Sequence, residues 1–271
     1  MCVYRSIIVS LCSAFFLINQ ASAAAVAPPP LKRPGLLAVC QYTDFKPVSY
    51  TNAQGFEADL MRAVAKLWNV KIIFLQDSTF NGFWFLPSKS YSVCDVSIGG
   101  ITPTQARIEQ GAVFSVATLK TSQSLLIRDK DYYSNRVTAY NSFRAGTMKI
   151  GVIPGSTGEE YAKVNARENN VPLSVIVEYP SETALLNALR SKEIDAIARG
   201  EIANSYQASL DKTLKVIGQR NFNEGYAVAV SSGNQALLGE LNKALIQLTN
   251  NGTVKLSDWS KDHDIFMKKI K

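Results

Sequence analysis

The chain has 271 residues, of which 46% are apolar and 19% are charged, and its formal net charge is +7. This length and mixed composition are typical of a globular protein with one large core or two modest ones, and they exclude disordered and fibrous classes. The positive charge is spread along the chain except in the tail FMKKIK, and no segment alternates basic and aromatic residues. We therefore expect no nucleic-acid partner.

Residues 1–23 have the pattern of a secretory signal peptide, with a basic residue, an apolar run and small residues up to Ala23. We expect cleavage there, followed by an extended proline-rich leader over residues 24–35. A membrane anchor is the alternative, but the apolar run is shorter than the ~20 residues of a membrane span. Since no later segment is apolar for long enough to span a bilayer, the predicted location is the periplasm.

A first α/β unit follows the leader. It comprises a strand, a helix and two further strands: LLAVCQ (36–41), GFEADLMRAVAKLWNV (55–70), KIIFL (71–75) and DVSIGGI (95–101). The helix has apolar residues at helical spacing and carries Glu57 and Asp59 in its first turn, where acids complement the helix dipole. The last two strands are continuous apolar runs, which are typical of a parallel sheet covered on both faces.

A second unit repeats this alternation. Its strands and helices are KIGVI (149–153), GSTGEEYAKVNARENN (155–170), LSVIVEY (173–179), SETALLNALRSKE (181–193) and IDAIA (194–198). Long extended stretches flank this unit, and the chain ends in a helix with leucines at 237, 241, 245 and 248. If that helix packs on the first unit, the chain crosses twice between two lobes, which we place at 36–120 plus 226–271 and at 121–225. Two crossings predict a hinge with a cleft between the lobes.

Cleavage of the signal peptide leaves two cysteines, Cys40 and Cys94, in an oxidising compartment. Cys40 lies late in one predicted strand and Cys94 at the start of another, and parallel neighbours would hold those ends apart. We therefore expect two buried free thiols, with one disulfide as the alternative.

Classical catalytic and metal-binding signatures are absent from the sequence. His263 is the only histidine and lies in a polar segment, which excludes a Ser-His-Asp triad and a histidine-rich metal site. No CxxC, HExxH or GxxxxGK[ST] pattern occurs. We expect no cofactor, no metal and no catalytic residue.

The segment GGITPTQAR ends a predicted strand and leads into a helix, the position where open α/β sheets bind ligands. Two glycines would let a ligand approach the backbone, so that the carbonyl of Gly100 could accept from an amino group. Thr102 adds a hydroxyl, and Arg107 offers a fork of donors that matches a carboxylate. A plain turn with a surface arginine is the alternative.

The segment VIPGSTGEEY of the second unit follows the same logic. Ser156 and Thr157 stand at the mouth of a helix whose N-terminal amides attract an anion. This helix start and the first segment could bind the same carboxylate, each from its own lobe.

Five blocks of this sequence, spanning about residues 36 to 262, resemble in order those of periplasmic amino-acid-binding proteins of ABC importers, solute-binding protein family 3. The blocks are GFEADLMRAVAKLWNV, DVSIGGITPTQARIEQGAVFS, KIGVIPGSTGEEYAK, LLNALRSKEIDAIA and LLGELNKALIQLTNNGTVKLSDWSKD. The resemblance implies a type II clamshell of two lobes, each a mainly parallel sheet flanked by helices, with crossing segments near 118–122 and 221–226. It also implies a monomer that binds a small-molecule ligand, an amino acid or related carboxylate, and delivers it to the membrane permease.

The resemblance assigns roles to six residues: Arg107 and Thr157 bind the ligand carboxylate, Gly100 and Thr102 contact the amino acid, and Phe45 and Phe80 sandwich its side chain. Plain core packing is the alternative for both rings.

Two positions depart from the family pattern. Gly200, between Arg199 and Glu201, stands where the family usually has an acid that binds the α-amino group. Glu201 could replace that acid after a one-residue shift, the ligand could lack a free α-amine, or Arg199 could meet a second acidic group. Tyr42 stands where several relatives carry an aspartate that binds a polar side chain, so the identity of the ligand stays open.

Two other functions fit the same scaffold. Periplasmic cyclohexadienyl dehydratases look similar, and Arg107 would then hold a carboxylate of prephenate or arogenate while Glu159 or Glu201 helps the hydroxyl leave. A ligand-sensing domain that signals to a partner is the second alternative. Binding without catalysis is our main expectation.

Overall fold

The computed structural model describes residues 29–133 and 148–250, except for the side chains of residues 133, 219–223 and 250. The predicted signal peptide, the beginning of the leader and His263 lie outside the described residues.

The described chain alternates strands and helices. The strands are β1 (Leu36–Tyr42), β2 (Asp44–Phe45), β3 (Ser49–Tyr50), β4 (Lys71–Asp77), β5 (Val96–Ile98), β6 (Ala112–Phe114), β7 (Leu119–Arg128), β8 (Ile150–Val152), β9 (Ile176–Glu178), β10 (Ala196–Gly200), β11 (Leu214–Tyr226) and β12 (Ala229–Ser231). The α-helices are α1 (Phe56–Leu67), α2 (Gln105–Glu109), α3 (Asp129–Tyr133), α4 (Thr157–Glu168), α5 (Glu182–Arg190), α6 (Glu201–Leu210) and α7 (Gln235–Asn250). Short 3₁₀ helices occur at Phe83–Ser88 and Leu173–Val175, the second in place of the first half of a predicted strand.

Two five-stranded sheets define the two lobes. The strand order is β4-β1-β5-β12-β6 in the first lobe and β11-β7-β10-β8-β9 in the second. In each sheet four strands run in one direction, and the exceptions are β12 in the first sheet and β7 in the second. The prediction of mainly parallel sheets is therefore confirmed.

The chain passes between the lobes at two places that lie side by side. It leaves the first sheet after β6 and returns to it at β12. The strands that make these passages, β7 and β11, pair antiparallel, with Leu119 opposite Tyr226 and Thr121 opposite Glu224. This two-stranded ribbon joins the lobes, as a hinge requires.

The core of the first lobe includes both ends of the described chain. Leu31, from the predicted leader, is buried there together with the α7 leucines at 237, 241, 245 and 248. The backbone N–H of Lys32 donates to the Asp95 carboxylate at 2.7 Å. The end of the leader is thus packed against the first lobe.

The expectation of free thiols is wrong, because Cys40 and Cys94 form a disulfide with their Cα atoms 5.6 Å apart. Cys94 does not begin a strand but precedes β5, in a segment that bends toward β1. Asp95 fixes this bend, since its N–H donates to the carbonyl of Ala38 at 2.8 Å and its carboxylate accepts from the Ala38 N–H at 2.8 Å.

Candidate functional site

A pocket lies between the lobes, and we call it the interlobe pocket. The space free of protein atoms there is about 430 Å³, a figure that includes open solvent at its mouth. Its lining residues come from both lobes and from the ribbon: Tyr42, Asp44, Phe45, Phe80, Gly99, Gly100, Ile153, Ser156, Thr157, Gly158, Glu182, Arg199, Gly200 and Tyr226.

Glu57 fixes the glycine turn after β5. The N–H groups of Gly99 and Gly100 donate to Glu57 Oε2 at 2.7 and 2.9 Å. Burial raises the pKa of Glu57 to about 7, although these two hydrogen bonds oppose the shift. Gly100 has φ +66°, and a Cβ there would come within 2.5 Å of the Phe45 ring. The turn therefore needs glycine, and Phe45 packs directly over it.

Arg107 is buried, at 4% exposure, and its guanidinium reaches both lobes. Nη1 donates to the carbonyl of Thr102 at 2.6 Å, and Nη2 to the carbonyl of Gly155, in the second lobe, at 2.8 Å. The guanidinium lies over Trp84, with 4.2 Å between Cζ and the ring centroid. Burial lowers its pKa to about 10, which leaves it protonated at neutral pH. No carboxylate of the described residues forms an ion pair with it.

Two helices present hydroxyl groups where the lobes meet. Thr104 caps α2 by accepting from the Arg107 N–H, and Ser156 caps α4 by accepting from the Glu159 N–H. These caps hold both helix starts against the cleft, where Thr102 Oγ1 and Thr157 Oγ1 are 3.5 Å apart.

The structure brings most of the predicted site residues together. Eight of them line the interlobe pocket: Tyr42, Phe45, Phe80, Gly100, Ser156, Thr157, Arg199 and Gly200. Thr102 and Arg107 lie beside it, in hollows that share Thr157 or Ser156 with the pocket. Glu201 is not among the lining residues, and its carboxylate accepts a hydrogen bond from Ser122.

A charged cluster on one side of the pocket was not predicted. Glu182 and Arg199, both buried, form an ion pair at 2.5 Å. The backbone N–H of Glu182 donates to Asp44 Oδ2 at 2.5 Å, a contact between the lobes. Burial raises the pKa of Glu182 to about 7, and the nearby Asp44 adds to the shift while Arg199 opposes it. The sequence indicated only that Glu182 begins a helix and that Asp44 precedes a candidate ring.

Tyr226 explains the glycine at position 200. A Cβ at Gly200 would lie 2.0 Å from the Tyr226 hydroxyl oxygen and 3.5 Å from the Phe45 ring. Tyr226 is buried, and burial raises the pKa of its hydroxyl, which therefore stays neutral. The sequence placed this residue in a crossing segment but gave no sign that its hydroxyl reaches the pocket.

Within 29–133 and 148–250, no helix is long and apolar enough to cross a membrane. The same ranges contain no group of three His, Cys, Asp or Glu residues arranged to hold a metal ion.

Comparisons with known proteins agree with this architecture. The family model of bacterial extracellular solute-binding proteins, family 3, matches residues 37–258. A probable histidine-binding protein of Neisseria gonorrhoeae is 26% identical over 253 residues, which cover 89% of this chain and 88% of that protein.

Two solved structures show the same fold. An ancestral arginine-binding protein bound to arginine superimposes with a TM-score of 0.72 at 24% identity, covering 85% of this chain and 98% of that one. An ancestral amino acid-binding protein, a precursor of cyclohexadienyl dehydratase, gives a TM-score of 0.71 at 23% identity, covering 84% and 95%. The predicted fold class and family resemblance are confirmed.

Proposed function

Because the chain belongs to the bacterial extracellular solute-binding proteins of family 3, we propose that it captures an amino acid or a similar small carboxylate between its lobes. It then delivers this ligand to the membrane permease of an ABC importer. The observation that carries the proposal is Arg107, a buried guanidinium held by backbone carbonyls of both lobes and without an ion pair among the described residues.

A buried charge is costly unless a group of opposite charge accompanies it. A ligand carboxylate supplies that group, and the planar fork of Arg107 can bind it through two parallel hydrogen bonds. Helix α4 adds to this, since its first turn has N–H groups without intrahelical acceptors and carries the positive end of the helix dipole.

Ligand binding favours the closed arrangement because the contacts come from both lobes. Arg107 and Gly100 belong to the first lobe, whereas Thr157 begins α4 in the second. In an open protein the ligand can contact the residues of only one lobe at a time. The closed state therefore binds the ligand more tightly, and ligand binding raises the population of that state.

Binding without turnover is part of the proposal. Glu159, a candidate proton donor for a dehydratase, has a lowered pKa: burial raises it, but the bonds from Lys163 and from the Gly155 N–H outweigh burial. An ionised carboxylate cannot donate a proton. The other candidate, Glu201, does not line the interlobe pocket.

The proposal also includes export and assembly. We infer that the signal peptide is cleaved after Ala23 and that the mature protein acts in the periplasm as a monomer. The extracellular location in the family's description supports export.

A thermal-shift screen of the mature protein, from Ala24 onward and refolded after denaturation to remove bound ligand, tests the proposal. The panel holds the amino acids, dicarboxylates and prephenate. A ligand at 100 times its Kd adds roughly 2.7 kcal/mol of stability. We expect Arg107→Ala to weaken binding roughly 10- to 100-fold, and Arg62→Ala, which removes an exposed cation, to leave it unchanged.

Three results would contradict the proposal. A shift of equal size in Arg107→Ala would show that the arginine does not bind the ligand. No shift with any compound would remove the binding function, and consumption of prephenate would favour the enzyme.

A further inference from the structure

Four charged side chains line the interlobe pocket or its edge, and only two of them neutralise each other. Glu182 and Arg199 form a buried ion pair at 2.5 Å. Asp44 accepts the Glu182 N–H and Arg107 donates to carbonyls, but neither takes part in an ion pair with any described residue. Lys46, two residues from Asp44, lies over the Tyr50 ring at 5.3 Å. The site therefore presents one unpaired carboxylate and one unpaired guanidinium.

These two unpaired charges have different neighbours. Arg107 stands beside Trp84 and Gly155, whereas Asp44 accepts the backbone N–H of Glu182. A ligand that satisfies both charges needs a carboxylate at one end and a cation separated from it.

An α-amino group is one carbon away from its carboxylate, so it would lie near the Arg107 end of the pocket. Gly200 ends β10, and the neutral hydroxyl of Tyr226 lies beside it. A Cβ at position 200 would come within 2.0 Å of that hydroxyl oxygen. The Glu57 carboxylate is fully buried and already accepts two N–H groups.

Two further acids lie near Arg107 but outside the pocket. Glu224 lines a hollow with Thr102 and Thr157, and Glu160 lines both this hollow and the one that Arg107 lines. Neither Glu160 nor Glu224 lines the interlobe pocket, whose acids are Asp44 and Glu182, and Glu182 is paired with Arg199. No described carboxylate of the interlobe pocket is thus available for an α-ammonium at this end.

The aromatic rings that line the pocket suit an alkyl chain with a terminal cation. Tyr42 and Phe80 meet edge to face at 5.0 Å between centroids, and Phe45 and Tyr226 do so at 5.6 Å. Aromatic faces bury methylene groups and also attract cations.

Resting on the binding function proposed above, we infer that the ligand is an ω-amino or ω-guanidino carboxylic acid that needs no α-amino group. Its carboxylate binds Arg107, its distal cation binds Asp44, and its chain lies between the aromatic rings. The α-position faces Gly200 and the Tyr226 hydroxyl.

Isothermal titration calorimetry with matched probes tests this inference. The pairs are L-lysine with 6-aminohexanoate and L-arginine with 5-guanidinopentanoate, and L-norleucine serves as the analogue without a distal charge. We expect each pair to differ less than about 3-fold in Kd, and L-norleucine to bind about 10- to 100-fold more weakly than L-lysine.

Variants test separately the role of Asp44 in binding the distal cation and the role of position 200 in the absence of an α-amino site. Asp44→Asn should bring L-lysine and L-norleucine within about 3-fold of each other, whereas Asp59→Asn, an exposed control, leaves their ratio unchanged. Tyr226→Phe removes the oxygen and leaves the ring carbon 3.4 Å from a Cβ at position 200. The double variant Gly200→Asp/Tyr226→Phe should therefore make L-lysine about 10-fold tighter than 6-aminohexanoate, and Tyr226→Phe alone should not.

The outcomes separate this inference from the function on which it rests. If the Kd of L-lysine is at least about 30-fold lower than the Kd of 6-aminohexanoate, the protein recognises the α-ammonium group and the inference is wrong. Preference for L-glutamine or L-glutamate, lost in Arg107→Ala, would also overturn it while leaving the binding function intact. Failure of every carboxylate to bind the folded protein would remove both.

Discussion

Replacing Glu57 by alanine removes the acceptor on which the glycine turn depends. Glu57 Oε2 accepts from two backbone N–H groups at 2.7 and 2.9 Å, and Oε1 accepts from the Thr118 hydroxyl at 3.3 Å. Hydrogen bonds to a charged group contribute ~1.5–3 kcal/mol each, and part of this is offset by the cost of burying the carboxylate. We expect Glu57→Ala to lower the free energy of unfolding by about 2–4 kcal/mol.

Urea denaturation at pH 8, where Glu57 is ionised, measures this loss. Asp59→Ala is the matched control, because Asp59 lies in the same helical turn but pairs with Arg62 while both side chains are more than 40% exposed. Its expected cost is under about 0.5 kcal/mol. If the two alanine variants lose equal stability, Glu57 does not hold the glycine turn.

The pH dependence of stability gives a second test of the same residue. The folded-state pKa of Glu57, about 7, exceeds its ordinary value of 4.5. The native protein therefore binds more protons than the unfolded chain between these values, and this contribution is complete below pH 4.5 and lost as pH rises through 7. We expect the Tm to fall between pH 5 and 8, and the fall to be shallower in Glu57→Gln. If Tm falls equally steeply with pH in the wild type and in Glu57→Gln, another group is responsible for the titration.

Two further predictions concern the disulfide and position 200. The double variant Cys40→Ser/Cys94→Ser should lose about 4 kcal/mol of stability in urea denaturation, since the bridge closes a loop with a sequence separation of 54; reducing agent should then destabilise only the wild type. Gly200→Ala should be destabilised because its Cβ would meet the Tyr226 hydroxyl oxygen at 2.0 Å, and adding Tyr226→Phe should recover most of the loss. A thermal melt of the single and double variants checks this, and a well-folded Gly200→Ala would place the hydroxyl elsewhere.

Periodicity predicted most elements, and the exceptions have physical causes. Helix α6, EIANSYQASL, was not predicted, because the side it buries includes Asn204, Ser205 and Gln207 and so gives no apolar repeat. Asn204 is tolerated there since its amide donates to Ser124 and its oxygen accepts from Arg199. Polar pairing takes the place of apolar packing, and a hydropathy pattern cannot reveal it.

The same limit applies to the site. Gly100, Arg107 and Thr157 were predicted because each belongs to a strand-to-helix segment with its own chemical logic. The contact of Asp44 with Glu182 joins residues 138 positions apart and exists only where the lobes meet. No local sequence pattern indicates such a contact, so the charged side of the pocket could be identified only from the three-dimensional structure.

The ribbon that joins the lobes is also connected to the glycine turn through hydrogen bonds. Thr118, where the chain leaves the first lobe, donates its N–H to the carbonyl of Tyr226 at 2.7 Å, and its hydroxyl lies 3.0 Å from that carbonyl and 3.3 Å from Glu57 Oε1. Glu57 in turn holds the N–H of Gly100, and the Tyr226 side chain fills the space beside Gly200. We therefore expect a change in the ribbon at this point to affect both the glycine turn and the Tyr226 hydroxyl. If the proposed binding site is right, a substitution at Thr118 should change the Kd of the ligand, measured by titration calorimetry, although Thr118 does not line the interlobe pocket.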